Sequence, residues 1–401
     1  MNEQENTALP ELRTSTDIMN EELSNYWLDP TKDYPEPHFM FEYNGVGFSP
    51  LGGIQAISGQ KKNGKTFVLA QLMAVALADD NERVKFYLKG LTTRKSTIDK
   101  MGHLPVVLYC DTEMEQLNTA KVLRRVHWLC GWDMRQKSER FHVLWLREVP
   151  KVEQGGKTIS ANKERWRVIK NAIEVVNPDL VFIDGLRDLV DDFNDNKESS
   201  EMVGEMMSLA SQKQCCIWNV LHMNPRPGAD DESKMRGHLG TELGNKVSDT
   251  FTSSKKKDAN GVVFTVKQLD ARGKDVDDWQ FEVCDAAGGL GIPRILGGTE
   301  VKNLEENKAK QDRDEADKYF KAFPRWTRGG VTYVELERFI RTKGETSNRK
   351  ISNLFNVALE SGIIAKNTRN KYIYIGLGNQ LPDETNNLPF EKPTENDQAP
   401  F

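Results

Sequence analysis

The segment Gly59-Gln60-Lys61-Lys62-Asn63-Gly64-Lys65-Thr66 constrains this chain more than any other feature. It fits the pattern G-x-x-x-x-G-K-[ST] at every defined position. Its flanks fit too: residues 54–58 read as a short strand entering the loop, and a helix starting at Lys65 leaves it. Glycines let such a loop curl so that its backbone N–H groups converge on an anion. The following helix adds the positive end of its dipole. The expected ligand is the phosphate chain of ATP, cradled by Gly59, Gln60, Lys61, Lys62, Asn63, Gly64, Lys65, Thr66 and Phe67. Lys65 is expected on the terminal phosphates and the Thr66 hydroxyl on Mg²⁺.

Around the loop, short apolar runs alternate with helical periodicity. Strands are expected at 106–110, 141–145, 180–183 and 216–221, with helices at 67–78, 166–176 and 202–213. Runs this uniformly apolar fit strands buried on both faces, so the fold class is α/β with a mostly parallel sheet. Residues 262–269 and 279–283 read as late strands, with an antiparallel orientation left open.

Two further motifs carry chemistry. The run Asp179-Leu180-Val181-Phe182-Ile183-Asp184 is an apolar strand ending in a carboxylate, and Asp184 stands where a second magnesium anchor is needed, the Walker B position. Hydrolysis also needs a group that orients or deprotonates water. The strand at 106–110 ends in Asp111-Thr112-Glu113, and carboxylates at strand ends lie in the ligand crevice of open α/β sheets. Glu113 is the expected catalytic glutamate, with Asp111 and Glu115 as rivals.

This order of motifs resembles the RecA-like ATPase core, and within it the RepA/DnaB type of hexameric helicase. In AAA+ enzymes the glutamate directly follows the Walker B aspartate. Here Asp184 is followed by Gly185-Leu186-Arg187, and a carboxylate stands on a separate strand. The segments Ile183-Asp184-Gly185-Leu186-Arg187-Asp188-Leu189, Val220-Leu221-His222-Met223-Asn224 and Arg236-Gly237-His238-Leu239-Gly240-Thr241-Glu242-Leu243 resemble RepA-like ATPases of mobile elements. The resemblance covers roughly 45–283. It implies that His222 ends a strand that senses the terminal phosphate, and that 225–235 face a ring channel. That loop holds Arg226 and Lys234, but also Asp230, Asp231 and Glu232, which departs from a DNA-gripping loop. Lys246, Lys255, Lys256 and Lys257 are other channel candidates. The resemblance further implies a cation reaching the neighbouring subunit's site, Arg272 first and Lys267 second, though the family spacing is tighter.

The expected organisation is an N-terminal arm at 1–44, partly disordered, a RecA-like ATPase domain at 45–294, a charged linker at 295–314, a small domain at 315–376 and a disordered tail at 377–401. The small domain reads as helix, helix, helix, hairpin, a winged helix-turn-helix. Between Lys318 and Lys371 stand 12 Lys/Arg against 4 Asp/Glu, in a chain whose net charge is -5. Such local excess suits phosphate contacts. Arg349 and Lys350 begin the third helix and Arg369 and Lys371 lie in the wing, so these are the expected duplex contacts. Five cysteines without a Cys-x-x-Cys pair read as reduced thiols in a cytoplasmic protein, and no run of about 18 apolar residues suggests a membrane span. The leading expectation is a DNA-acting ring helicase, a homo-hexamer with single-stranded DNA in its channel. Its rivals are a DNA-binding ATPase regulator or loader that does not unwind, and a KaiC-like signalling ATPase.

Overall fold

The computed structural model describes residues 36–78, 81–223, 235–258 and 261–377, with scattered positions between 23 and 34. The side chains of residues 258 and 303–305 are not described. Most of the expected arm, the loop at 224–234 and the tail from 378 lie outside the described residues.

The first element is a hairpin. Strands β1 (Phe39–Tyr43) and β2 (Val46–Pro50) pair antiparallel with Tyr43 opposite Val46. Asn44 and Gly45 turn the chain with φ of 49° and 82°, the left-handed pair that a two-residue hairpin requires. This strand lies inside the expected arm, and Met40, Phe41 and Phe48 are fully buried. Strand β3 (Ile54–Gly59) leads into the phosphate loop and helix α1 (Lys65–Leu77). Helix α1 is apolar on almost every side, which marks a helix packed between layers. Helix α2 (Glu82–Tyr87), strand β4 (Leu91–Thr93) and helix α3 (Lys95–Met101) follow, and β4 joins the hairpin in the order β2-β1-β4.

The main sheet is then built by β5 (Val107–Asp111), helix α4 (Gln116–Leu129) and β6 (Phe141–Trp145). A small hairpin of β7 (Val152–Gln154) and β8 (Lys157–Ile159) precedes helix α5 (Ala161–Val176), whose N-terminus is capped by Ser160. Strand β9 (Leu180–Asp184), helix α6 (Asn196–Lys213), strand β10 (Cys216–His222) and helix α7 (Gly237–Lys246) complete the crossovers. Strands β11 (Asp249–Asp258), β12 (Gly261–Ala271), β13 (Trp279–Cys284) and β14 (Ile292–Ile295) extend the sheet. Its nine strands run β14-β13-β12-β11-β3-β10-β9-β5-β6. Pairing is parallel from β11 through β3, β10, β9 and β5 to β6, and antiparallel among β11, β12, β13 and β14. One strand, β10, therefore separates the phosphate-loop strand from the strand that ends in Asp184.

Two apolar layers cover the sheet. Leu69, Leu72, Val126, Trp218, Phe251 and Trp279 belong to one, with α1 and α4. Ile54, Leu108, Ile169, Ile183, Met206 and Leu243 belong to the other, with α5, α6 and α7. Among the described residues no helix is long and apolar enough to cross a membrane.

The stretch expected to be a linker is the first part of a single helix, α8 (Gly298–Lys321). Its start is held by Glu300, which accepts from Gly297 N at 2.7 Å and pairs with Arg294 at 2.7 Å. Arg294 also grips Glu282 on β13 at 2.8 Å. Among its described side chains only Ala316 and Phe320 are buried, and the earlier turns are mostly charged. Helices α9 (Tyr333–Thr342) and α10 (Asn348–Glu360) and a hairpin of β15 (Ile364–Lys366) and β16 (Tyr372–Tyr374) follow. They share a separate core around Phe320, Leu336, Ile340, Ile351, Leu354, Phe355 and Ala358.

Candidate active site

The phosphate loop is shaped from outside by the β11–β12 hairpin. A Cβ on Gly59 (φ 151°) would stand 2.5 Å from Ser253 O, and one on Gly64 (φ 87°) 2.6 Å from the Phe264 ring. The two glycines thus admit the close approach of that hairpin as well as the curl of the loop. Gln60, Lys61 and Lys62 are exposed, and Asn63 is half-buried. Phe67 packs with its ring 6.2 Å from Phe264 and carries the Arg125 guanidinium 4.3 Å above it. Lys65 is buried, and its Nζ donates to Gly59 O at 3.0 Å and Gln60 O at 2.9 Å. Burial lowers its affinity for a proton, while Asp184 and Glu113 act the other way.

Asp184 ends β9 directly beneath the loop. Its Oδ2 accepts from Thr66 Oγ1 at 2.8 Å and from Tyr109 OH at 3.0 Å. Burial, with Asp111 and Glu113 nearby, pushes its carboxyl up to about 6. A buried carboxylate beside a hydroxyl is the donor set of a hard cation, and it fits Mg²⁺. Among the described residues no cluster of three or more His, Cys, Asp or Glu could hold a metal.

The three candidate carboxylates after β5 do different things. Asp111 Oδ1 accepts from Glu113 N at 3.0 Å and Met114 N at 2.9 Å, and its Oδ2 from Thr119 Oγ1 at 2.5 Å. It organises the turn rather than facing the loop. Glu115 is largely exposed, 3.8 Å from Arg147. Glu113 faces inward, its Oε1 3.3 Å from His222 Nε2. The hydrogen bond from His222 holds this carboxyl below its usual range, and Lys65 and Lys61 add to the effect. His222 in turn lies 3.2 Å from Lys65 through Nδ1, so the structure brings Lys65, Thr66, Asp184, Glu113 and His222 together.

Gly185 explains why no glutamate follows Asp184. A Cβ there would stand 2.1 Å from Thr112 Oγ1 and 2.7 Å from Glu113 Cγ, and its φ is 110°. The space beside Asp184 is filled by the turn from the neighbouring strand. Gly185→Ala is expected to destabilise the fold by about 1–3 kcal/mol, the usual cost of a side chain in such a conformation. It should also displace Glu113. Urea denaturation would measure the first effect and ATP turnover the second, and an unchanged midpoint would refute this account of the glycine.

The proposed finger residues stand elsewhere. Ala271 pairs with Asp249, which pairs with Gln55, so Arg272 lies at the end of the sheet opposite the loop. Its guanidinium donates to Lys246 O at 3.3 Å. Lys267 sits opposite Thr252, 3.9 Å from Asp278. Neither joins this chain's own site. Lys255, Lys256 and Lys257 are exposed on the part of β11 that runs past its pairing with β3. In the C-terminal helices, Lys350 bridges Glu315 at 3.1 Å and Glu345 at 2.9 Å. It ties α10 to its neighbours through these pairs while remaining exposed. Arg349 is exposed at the start of α10, and Arg369 and Lys371 lie in the turn between β15 and β16. Arg226 and Lys234 lie outside the described residues.

One group of residues was not legible as a site. A cleft of about 370 Å³ opens beside Glu113, His222 and Lys61, and is lined by Arg147, Arg165, Arg187 and Arg236. Arg165 is structural: it donates to Leu146 O at 2.9 Å and Arg147 O at 2.8 Å. Arg187 and Arg236 stack on Phe193, 4.5 Å and 5.4 Å from its centre. The available signal was positional: Arg147 and Arg187 each follow a parallel strand by two or three residues, and Arg236 caps α7.

The family described as AAA domain matches residues 42–226, which include the loop, Glu113, Asp184 and His222. No curated protein matches the sequence. Among solved structures, a KaiC-like protein from the hyperthermophilic archaeon Pyrococcus horikoshii is 13% identical, covering 65% of this chain and 99% of its own, with a TM-score of 0.40. The phosphate loop and this family match support an ATPase of the P-loop class.

Proposed function

We propose that this chain is a RecA-like motor that hydrolyses ATP and acts on DNA, a ring helicase of the RepA-like type found in mobile elements. The observation that carries the reading is the arginine cleft: Arg147, Arg187 and Arg236 line it beside Glu113, Asp188 and His222. Phosphodiesters bound there would lie against the residues that govern hydrolysis. In the mechanism, Lys65 holds the terminal phosphates and Glu113 orients the attacking water. Thr66 and Asp184 would hold Mg²⁺, which when bound neutralises charge on the phosphate oxygens. Arg272 or Lys267 would serve the site of the next copy in a homo-hexamer.

The helix order and closing hairpin of 315–376 support a winged helix, with Arg349, Lys350, Arg369 and Lys371 as its duplex contacts. That module favours the second reading, a DNA-bound regulator or loader that does not unwind. The free cysteines, four of them buried, suit a reducing cytoplasm.

The test uses the full chain with Arg187→Ala and Arg236→Ala together. ATP affinity should stay unchanged. Affinity for single-stranded DNA should fall, and the salt slope should flatten by about 1.4 for two lost contacts, at roughly 0.7 each. Unwinding of a forked duplex by the wild type separates motor from loader. Absence of DNA binding and of DNA-stimulated hydrolysis would leave the KaiC-like signalling reading standing.

A pH effect is expected as well. Protonation of Asp184, whose carboxyl is pushed up to about 6, removes a metal ligand. Mg²⁺-dependent ATP binding should therefore weaken toward acidic pH, and more than metal-free binding does. Titration calorimetry at several pH values reads the difference.

A further inference from the structure

The imidazole of His222 stands between the phosphate lysine and the glutamate. Its Nδ1 is 3.2 Å from Lys65 Nζ and its Nε2 3.3 Å from Glu113 Oε1. An ammonium has three N–H donors and no acceptor. Two of those of Lys65 go to Gly59 O and Gln60 O, which leaves the third for Nδ1. Nδ1 must then accept, so the ring carries its proton on Nε2 and donates it to Glu113. The backbone beneath the ring is fixed as well: His222 pairs with Gly59 in the sheet, and Met223 N bonds Gly59 O at 3.3 Å.

We propose that His222 is a positioning residue, a neutral bridge whose tautomer is set by Lys65 and which aligns Glu113 with the phosphate loop. The bridge occupies one carboxylate oxygen and leaves the other for the attacking water. It works by donating and accepting hydrogen bonds. This role rests on the ATPase reading of the site, and it differs from direct sensing of the phosphate.

Two measurements on the full chain test it. With ¹⁵N-labelled histidine, the His222 signal among six histidines is identified by its loss in His222→Gln. Before nucleotide is added, the ring should show a protonated Nε2 and an accepting Nδ1. Lys65→Met should shift Nδ1, and Glu113→Gln should shift Nε2. An unchanged ring in Lys65→Met would overturn the proposal whether or not the protein hydrolyses ATP.

Kinetics supply the second measurement. A glutamine amide offers an oxygen to Lys65 and an N–H to Glu113 at a spacing similar to that of the ring nitrogens, yet it cannot be protonated near neutral pH. His222→Gln should therefore retain most of kcat. His222→Leu should lose about 10²-fold, the cost of a misplaced catalytic group, with KM for ATP little changed. Equal losses in both variants would mean that the ring's own protonation is required. Full activity in His222→Leu would mean that Glu113 needs no bridge. Either result overturns the proposal, whereas a wild type without ATPase activity would sink the functional reading instead.

Discussion

Lys65→Ala is expected to stop ATP hydrolysis. The ammonium is buried and holds three partners at once, the carbonyls of Gly59 and Gln60 and the ring of His222. No other lysine or arginine among the described residues is bonded to the loop's carbonyls from within. Removing it takes away the fixed counter-charge that the terminal phosphate requires. Loss of one charged hydrogen bond is worth about 1.5–3 kcal/mol, so ATP affinity should fall roughly tenfold to a hundredfold. Loss of an electrostatic stabiliser of the transition state typically costs at least about 10²–10³ in kcat. Phosphate release and fluorescent-nucleotide binding would read the two effects, with a thermal melt to confirm that the variant folds. Turnover near the wild-type level would remove the basis of the ATPase reading.

Glu113→Gln should separate chemistry from binding. The amide keeps the size of the side chain but cannot act as a base. Hydrolysis should fall by about 10²–10⁴-fold while ATP remains bound. Asp111→Asn should behave differently, because Asp111 accepts from two backbone amides and from Thr119. An asparagine can turn only one oxygen to those donors, so the expected effect is on stability of the turn. If Asp111→Asn abolished hydrolysis in a folded protein while Glu113→Gln did not, the roles assigned to the two would be reversed.

What the sequence revealed follows from how local each signal is. The loop and its helix were readable because eight consecutive residues carry the phosphate chemistry. Asp184 was readable because an apolar run ends on it. The choice between Asp111 and Glu113 was only partly readable, since Thr119, which ties Asp111 down, lies on the next helix. The strand Phe39–Tyr43 was missed although Asn44-Gly45 marks its turn into Val46–Pro50; its other partner, Leu91–Thr93, comes nearly fifty residues later. Helix α8 was legible only as an alternative to a linker, because its early turns carry charge where periodicity would be sought. The arginine cleft was invisible for a related reason: it gathers residues from separate strand ends that meet only in the sheet. The charge of Lys350 was readable, but its two acidic partners were not.

The family match and the carboxylate arrangement also bear on each other. The matched region carries Glu113 in the turn after β5, not beside Asp184 in sequence, and Gly185 makes room for it. A glutamate transplanted to position 185 would collide with Thr112 and Glu113, so the two placements exclude one another in this fold.

The 24-residue helix Gly298–Lys321 has a mechanical meaning. At about 1.5 Å per residue it is a strut roughly 36 Å long. Its root is clamped to the last strands of the sheet by Arg294, Glu282 and Glu300. A limp tether would let the C-terminal module wander and would pass on only its tension. A strut passes on angle: a small tilt of the sheet edge becomes a displacement of several ångströms at the far end. Whatever the module grips would then be swung, not merely kept nearby, each time the edge of the sheet moves.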